Sequence, residues 1–135
     1  MISLVCRDNP LILVVGVCAS GKTTLRTGLK ARGYNARSLA QEHSVSPRLW
    51  RRMQPDFLIL LDCQFSTIQR RRDVKWGLDR YAQQKESLAD AKENADVLVT
   101  TDGFTPQELV DHVESILNQN GIYPTDRGDH SDCNA

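Results

Sequence analysis

The chain is 135 residues long, 40% hydrophobic and 25% charged, and its 17 basic and 17 acidic residues cancel. That length suits one domain with a real core and leaves no room for a second, and the balanced charge gives no reason to expect nucleic acid or a membrane surface as partner. No apolar run approaches the roughly 20 residues that span a bilayer, and Arg7 and Asp8 interrupt the stretch where a secretory signal would be continuously apolar, so a cytoplasmic protein is expected.

Residues 1 to 10 form a lead-in that turns at Asp8, Asn9 and Pro10. Leu11 to Val15, LILVV, is a run of large, mostly branched apolar residues, as in a strand buried on both faces. The nine residues that follow, GVCASGKTT from Gly16 to Thr24, fit G-x-x-x-x-G-K-[ST] in full. This is a phosphate-binding P-loop, the Walker A pattern. A polyphosphate needs many donors converging on it, and a loop between strand and helix aims successive backbone N–H groups inward. Gly16 and Gly21 permit the turn and the close approach, and Cys18, Ala19, Ser20 and Thr24 complete the cradle. Lys22 reaches the β- and γ-phosphates, and the Thr23 hydroxyl can ligate Mg2+. Thr24 to Arg32 reads as a helix, with Leu25 and Leu29 on one side and Gly33 as its C-terminal cap.

Tyr34 to Ala40 is a second, less apolar strand, which delivers Gln41, Glu42 and His43 to the edge where ligands collect in parallel sheets. Ser46 and Pro47 open a short helix over Arg48 to Met53, stopped by Pro55. Trp50 could stack on a substrate ring, but a short helix needs one large residue to dock it, and packing is the preferred reading. Phe57 to Asp62, FLILLD, is another doubly buried strand. Phe65 to Arg72 is predicted helical and ends in Arg70, Arg71 and Arg72, which a helix cannot point the same way. After a break at 73–78, one long amphipathic helix is expected from about Asp79 to Asn94, then a short strand over Val97 to Thr100. Thr105-Pro106-Gln107-Glu108 is a capping box opening a helix with Leu109, Val113, Ile116 and Leu117 on its apolar stripe, ended by Gly121. From Tyr123 the polar, turn-rich tail is expected to be disordered.

Strands alternating with helices predict an α/β domain over 1–122. Its three layers would be a small, mostly parallel sheet of about four strands with helices on both faces. Cys6, Cys18, Cys63 and Cys133 show neither C-x-x-C nor metal-ligand spacing and read as free thiols in a reducing compartment. An oxidation sensor at Cys18 or Cys63 is conceivable, but small residues filling small spaces is the preferred account.

On the Walker A loop, FLILLDCQFSTIQRRR and ADVLVTTDGFTPQELVDHVESIL, the chain resembles the P-loop kinases of the nucleoside monophosphate kinase and shikimate kinase type over about residues 10 to 120. The resemblance implies that Lys22 and the loop amides hold ATP phosphates and that Thr23 holds Mg2+. It implies too that Arg70 or Arg72, on the helix leading into a lid, contacts the transferring phosphate or the adenine. The loop Thr101 to Thr105, with Asp102 and Gly103, would pass beside the base. The chain departs from that family between the P-loop helix and FLILLD, where 34–56 has no room for two strands and a substrate-binding insertion. Placing Tyr34 to Ala40 beside the P-loop strand puts Glu42 near the Walker B position, where it could hold a magnesium-bound water or accept a proton. Glu42 as an ordinary exposed loop acid stays open beside this, and His43 is read as a loop residue rather than a catalyst.

The expected function is therefore transfer of the ATP γ-phosphate to a hydroxyl or phosphate of an unidentified small molecule. Lys22, Glu42, Arg70 and Arg72 would be catalytic, and Thr23 and Glu42 would hold the metal. The alternative is a non-catalytic nucleotide-binding sensor or partner-binding module. A GTPase-like switch is weaker, since the chain has neither an N-K-x-D stretch nor a D-x-x-G after the second strand. The Gln/Lys/Glu-rich segment 79–94 could supply a homodimer face.

Overall fold

The computed structural model describes residues 9–17, 19–71 and 77–124. The expectations for Cys6, Cys18, Arg72 and Cys133, for the break at 73–76 and for the tail beyond Pro124 lie outside the described residues. Four strands, β1 (Leu11–Gly16), β2 (Asn35–Ser38), β3 (Phe57–Asp62) and β4 (Val97–Thr100), form one sheet in the order β2-β1-β3-β4. Every pairing is parallel, with Val14 opposite Ser38 on one side and Ile59 on the other, and Asp62 opposite Thr100. The fold is thus α/β with a four-stranded all-parallel sheet, and β2 lies beside β1 as expected.

The alternation along β1 and β3 shows why both strands are apolar throughout. Ile12, Val14, Phe57, Ile59 and Leu61 face one core, and Leu13, Val15, Leu58 and Leu60 face the other. The first core is closed by α1 (Lys22–Ala31), through Leu25 and Leu29, and by α5 (Pro106–Gln119), through Leu109, Val110, Val113 and Leu117. Burying each such side chain contributes about 1.5–3 kcal/mol. The second core is closed by Trp50, by Ile68 of α2 (Phe65–Arg71) and by Leu88 and Ala91, which flank the junction of α3 (Leu78–Ser87) and α4 (Ala89–Asn94). The capping box at Thr105 forms in full, the Glu108 amide donating to Thr105 Oγ1 at 3.1 Å and the Thr105 amide to Glu108 Oε1 at 3.0 Å. Gly33 and Gly121 take φ of 98° and 80° just past the helix ends, the left-handed region where glycine is cheapest.

Two local expectations are corrected. Ser46 and Pro47 do not open an α-helix: Leu49–Met53 is a 3-10 turn with no side-chain cap. The Ser46 carbonyl instead accepts from the Gln41 amide nitrogen at 2.8 Å and the Ser44 hydroxyl at 3.0 Å, which uses it to lock the loop before it. Residues 79–94 are not one helix but two. Leu88, at φ −97° and ψ −1°, donates to both Gln84 and Lys85 carbonyls, a tightening that seats Leu88 and Ala91 in the core. Trp50 packs as expected, 8% exposed, with its indole N–H donating to Asp90 at 2.9 Å.

Candidate functional site

Three segments meet beyond the C-terminal ends of the strands. The first is the turn from Gly16 into α1. A Cβ on Gly16 would run into the Leu61 carbonyl of β3 and come within 2.8 Å of the Ser20 hydroxyl, so only glycine lets the loop leave the sheet here. Gly21 takes φ 105°, and Ala19 takes φ 61° despite its Cβ. A non-glycine residue held there costs of the order of 1 kcal/mol, and such strain gathers at ligand-binding loops. The amides of the first turn of α1 have no preceding turn to bond to. Lys22 folds back onto the loop, donating to the carbonyls of Gly16 at 3.0 Å and Val17 at 3.2 Å.

The second segment is the turn after β2. Glu42 is 5% exposed and not a solvated loop acid. Its Oε2 accepts from Lys22 Nζ at 2.7 Å, while Oε1 is buried with no hydrogen-bond partner among the described residues. His43 is half-exposed, its Nε2 3.6 Å from the same Oε2. The neighbouring Gln41 is fully buried and fixes the turn, accepting from the Trp50 amide at 2.7 Å and donating to the Ser46 and Ser87 carbonyls.

The third segment joins α2 to the end of β4. Arg71 donates from Nη1 to the Ala19 carbonyl at 2.9 Å and from Nη2 to the Thr101 carbonyl at 2.7 Å. The buried Thr101 hydroxyl donates to the Ser20 carbonyl at 2.9 Å and accepts from Arg71 at 3.2 Å. Arg71 and Thr101 therefore brace the strained loop from outside. Between the three segments lies a cavity of about 530 Å³, walled by residues 19–24, Glu42, His43, Arg71, Thr101 and the start of α5. Two helix N-termini, those of α1 and α5, border it and give it a positive local field.

Of the residues singled out from sequence, Ala19, Ser20, Gly21, Lys22, Thr23, Thr24 and Glu42 line this cavity together. Arg70 does not; it is exposed and donates to the Thr67 hydroxyl at 3.2 Å. Asp102 and Gly103 also lie off the lining. The Asp102 carboxylate accepts from the Gln64 amide at 2.9 Å and from the Thr67 hydroxyl. Burial alone would raise its pKa, yet those two bonds, with the nearby Arg71 charge and a backbone bond of its own, together hold the carboxyl below its ordinary value. The loop's contribution to the cavity comes from Thr101, Phe104 and Thr105. Sequence reasoning preferred Arg70 or Arg72 over Arg71, and took Thr101 only as the start of the loop beside the base. A signal for Arg71 existed: it sits three residues after Ile68 and four after Thr67, the two buried positions of α2.

Glu42 is the one carboxylate among the described lining residues, and Asp62, at the end of β3, is instead paired with Lys85 at 3.2 Å. Among the described residues no three His, Cys, Asp or Glu side chains are grouped as a metal site. The Thr23 hydroxyl and the unpartnered Glu42 oxygen are the donors that would suit a hard cation arriving with a phosphate chain. Cys63 is buried, and burial pushes its thiol up to about 11, so at neutral pH it is protonated and inert rather than a sensor. No helix among the described residues is long and apolar enough to cross a membrane. A scan against protein-family models and a search of curated proteins both return no match to this chain.

Proposed function

We propose that the chain is a small ATP-dependent phosphotransferase. The observation that carries the reading is the Lys22–Glu42 pair at 2.7 Å across the mouth of the glycine loop, with the second Glu42 oxygen buried and unpartnered. A cation and an anion desolvated together are costly unless both are used. A triphosphate entering the cavity gives Lys22 a stronger partner than the Gly16 and Val17 carbonyls, and it frees Glu42 for the attacking group.

The reaction is transfer of the γ-phosphoryl group from ATP to an alcohol. The acceptor oxygen forms a bond to the γ-phosphorus as the bond to the β–γ bridging oxygen breaks, and ADP leaves with that electron pair. The hydroxyl proton passes to Glu42 and on to water. Lys22, the first-turn amides of α1 and the Arg71 guanidinium offset the charge on the phosphoryl oxygens. Thr23, with Glu42 near by, would hold the Mg2+ that arrives with the nucleotide, and the ion would supply further charge neutralisation. Phe104, stacked on His112 with ring centroids 5.0 Å apart, offers an aromatic edge to the base. A cytosolic setting belongs to the same reading, since ATP and a free Cys63 thiol are both at home there.

A second reading, a nucleotide-binding sensor without transfer chemistry, draws support from the 39–56 connection, which holds only two 3-10 turns between β2 and β3. The same assay separates the two. Phosphorus NMR of protein, ATP and Mg2+ with a metabolite panel should show ADP and one new phosphate ester in equal amounts, abolished in Lys22→Ala. Nucleotide binding without any ester would leave the sensor.

A further inference from the structure

Glu42 and His43 form a wall with a cavity on each side. Opposite the glycine loop, between residues 42–47 and α3, lies an open groove of about 610 Å³. It is preformed, because the fully buried Gln41 side chain ties the loop to itself through Ser46, to α3 through the Ser87 carbonyl and to the next turn through the Trp50 amide. Resting on the phosphotransferase reading above, we infer that this groove is the acceptor subsite and that it takes an uncharged hydroxyl compound of the sugar or polyol class.

The chemistry of the wall decides the class. One arginine, Arg80, is set against two carboxylates, Glu42 and Glu86, so the groove has no surplus of positive charge to hold a phosphate or carboxylate. Its remaining polar groups are the hydroxyls of Ser44 and Ser87, the amides of Gln83 and Gln84 and the half-exposed His43 imidazole, so apart from that imidazole they are neutral donors and acceptors. Val45, fully exposed, and Pro47 add an apolar strip of the kind that packs on the C–H face of a sugar. The buried Glu42 side chain carries a carboxylate oxygen with no hydrogen-bond partner among the described residues, and it lies where groove and phosphate cavity share a wall. A substrate hydroxyl donating to it is presented to the phosphate end of a nucleotide held by Lys22. Balance is that of the transfer above: alcohol and ATP give phosphate ester, ADP and a proton.

The test uses the full chain, isotope-labelled and saturated with ADP and Mg2+, and follows backbone amide shifts. One titration adds ribose, glucose, glycerol and myo-inositol; the other adds gluconate, 3-phosphoglycerate and UMP. The inference expects saturable shifts at residues 44, 83 and 87 from a neutral compound, with affinity reduced at least about tenfold in Gln83→Trp or, should that variant fold poorly, in Ser87→Tyr. Gln83 is exposed and Ser87 partly exposed on the groove side of α3. Shifts at those residues from the anionic set alone, or from neither set, overturn the inference while leaving nucleotide binding intact. Failure of ADP itself to bind overturns both.

Discussion

Two polar clusters at opposite ends of the sheet are built on different terms. At the end where β2 begins, Arg32 pairs with Asp111 at 2.8 Å and Glu114 at 2.6 Å, the Tyr34 hydroxyl donates to Glu114 at 2.9 Å, and Asn118 donates to that hydroxyl and to the Ile122 carbonyl. The cluster ties α1 to α5 and answers its own hydrogen-bonding demands. Where β2 ends, the Lys22–Glu42 cluster leaves Ser20 Oγ and Glu42 Oε1 buried without a partner among the described residues and holds Ala19 in a left-handed conformation. An unmet buried polar group costs about 1–3 kcal/mol. On the proposed function, that deficit is what a bound nucleotide and acceptor would satisfy.

The comparison breaks most severely at Gly16. Gly16→Ala should cost about 3 kcal/mol or more, since the new methyl meets the backbone of β3 rather than a side chain that can rotate away. Chemical denaturation would read it, and a near-neutral result would mean the loop is not held against β3. Next comes Glu42→Gln, which should lower turnover by about 100-fold and also cost roughly 1–3 kcal/mol of stability, because the amide removes the charge that pairs with the largely buried Lys22. Steady-state kinetics with a thermal melt separates the two effects. Tyr34→Phe is the opposite case: a stability loss of about 1–2 kcal/mol with nucleotide affinity unchanged, because a donor and an acceptor disappear far from the cavity.

The smallest effect is pH-dependent. The Asp102 carboxyl is depressed in the folded protein, so its stabilising bonds are fully present above the unfolded value near 4 and are lost as pH falls through the lower folded value. Asp102→Asn should therefore cost about 1 kcal/mol at pH 7 and progressively less below pH 4. Urea midpoints measured at both pH values check the sign.

How much of this was legible follows from where the physics is local. LILVV and FLILLD announce buried parallel strands because both faces are apolar, and Thr105 to Glu108 announces a helix start because its cap is made within four residues. The break at Leu88 was not legible, since no glycine or proline marks it and docking of Leu88 and Ala91 sets it. Nor was the choice of Arg71 over Arg70 made from the run of arginines, since it depends on the phase of α2 against Ile68. Asp102 turned away from the cavity because the exposed start of α2 offered it two donors. Strand order put Glu42 at the end of the strand beside β1, where it meets Lys22, but its burial came from Gln41 anchoring the turn beside it, a long-range contact that spacing does not encode.

The central claim is that the glycine loop and Lys22 hold nucleotide phosphates. Calorimetric titration of ATP, ADP, GTP and GDP, each with Mg2+, into wild type and Lys22→Ala tests it most directly. The account predicts binding of the adenine nucleotides, weakened about 100-fold or more in the variant, which corresponds to about 2.7 kcal/mol. Absence of binding by all four nucleotides, or equal affinity in Lys22→Ala, would contradict it.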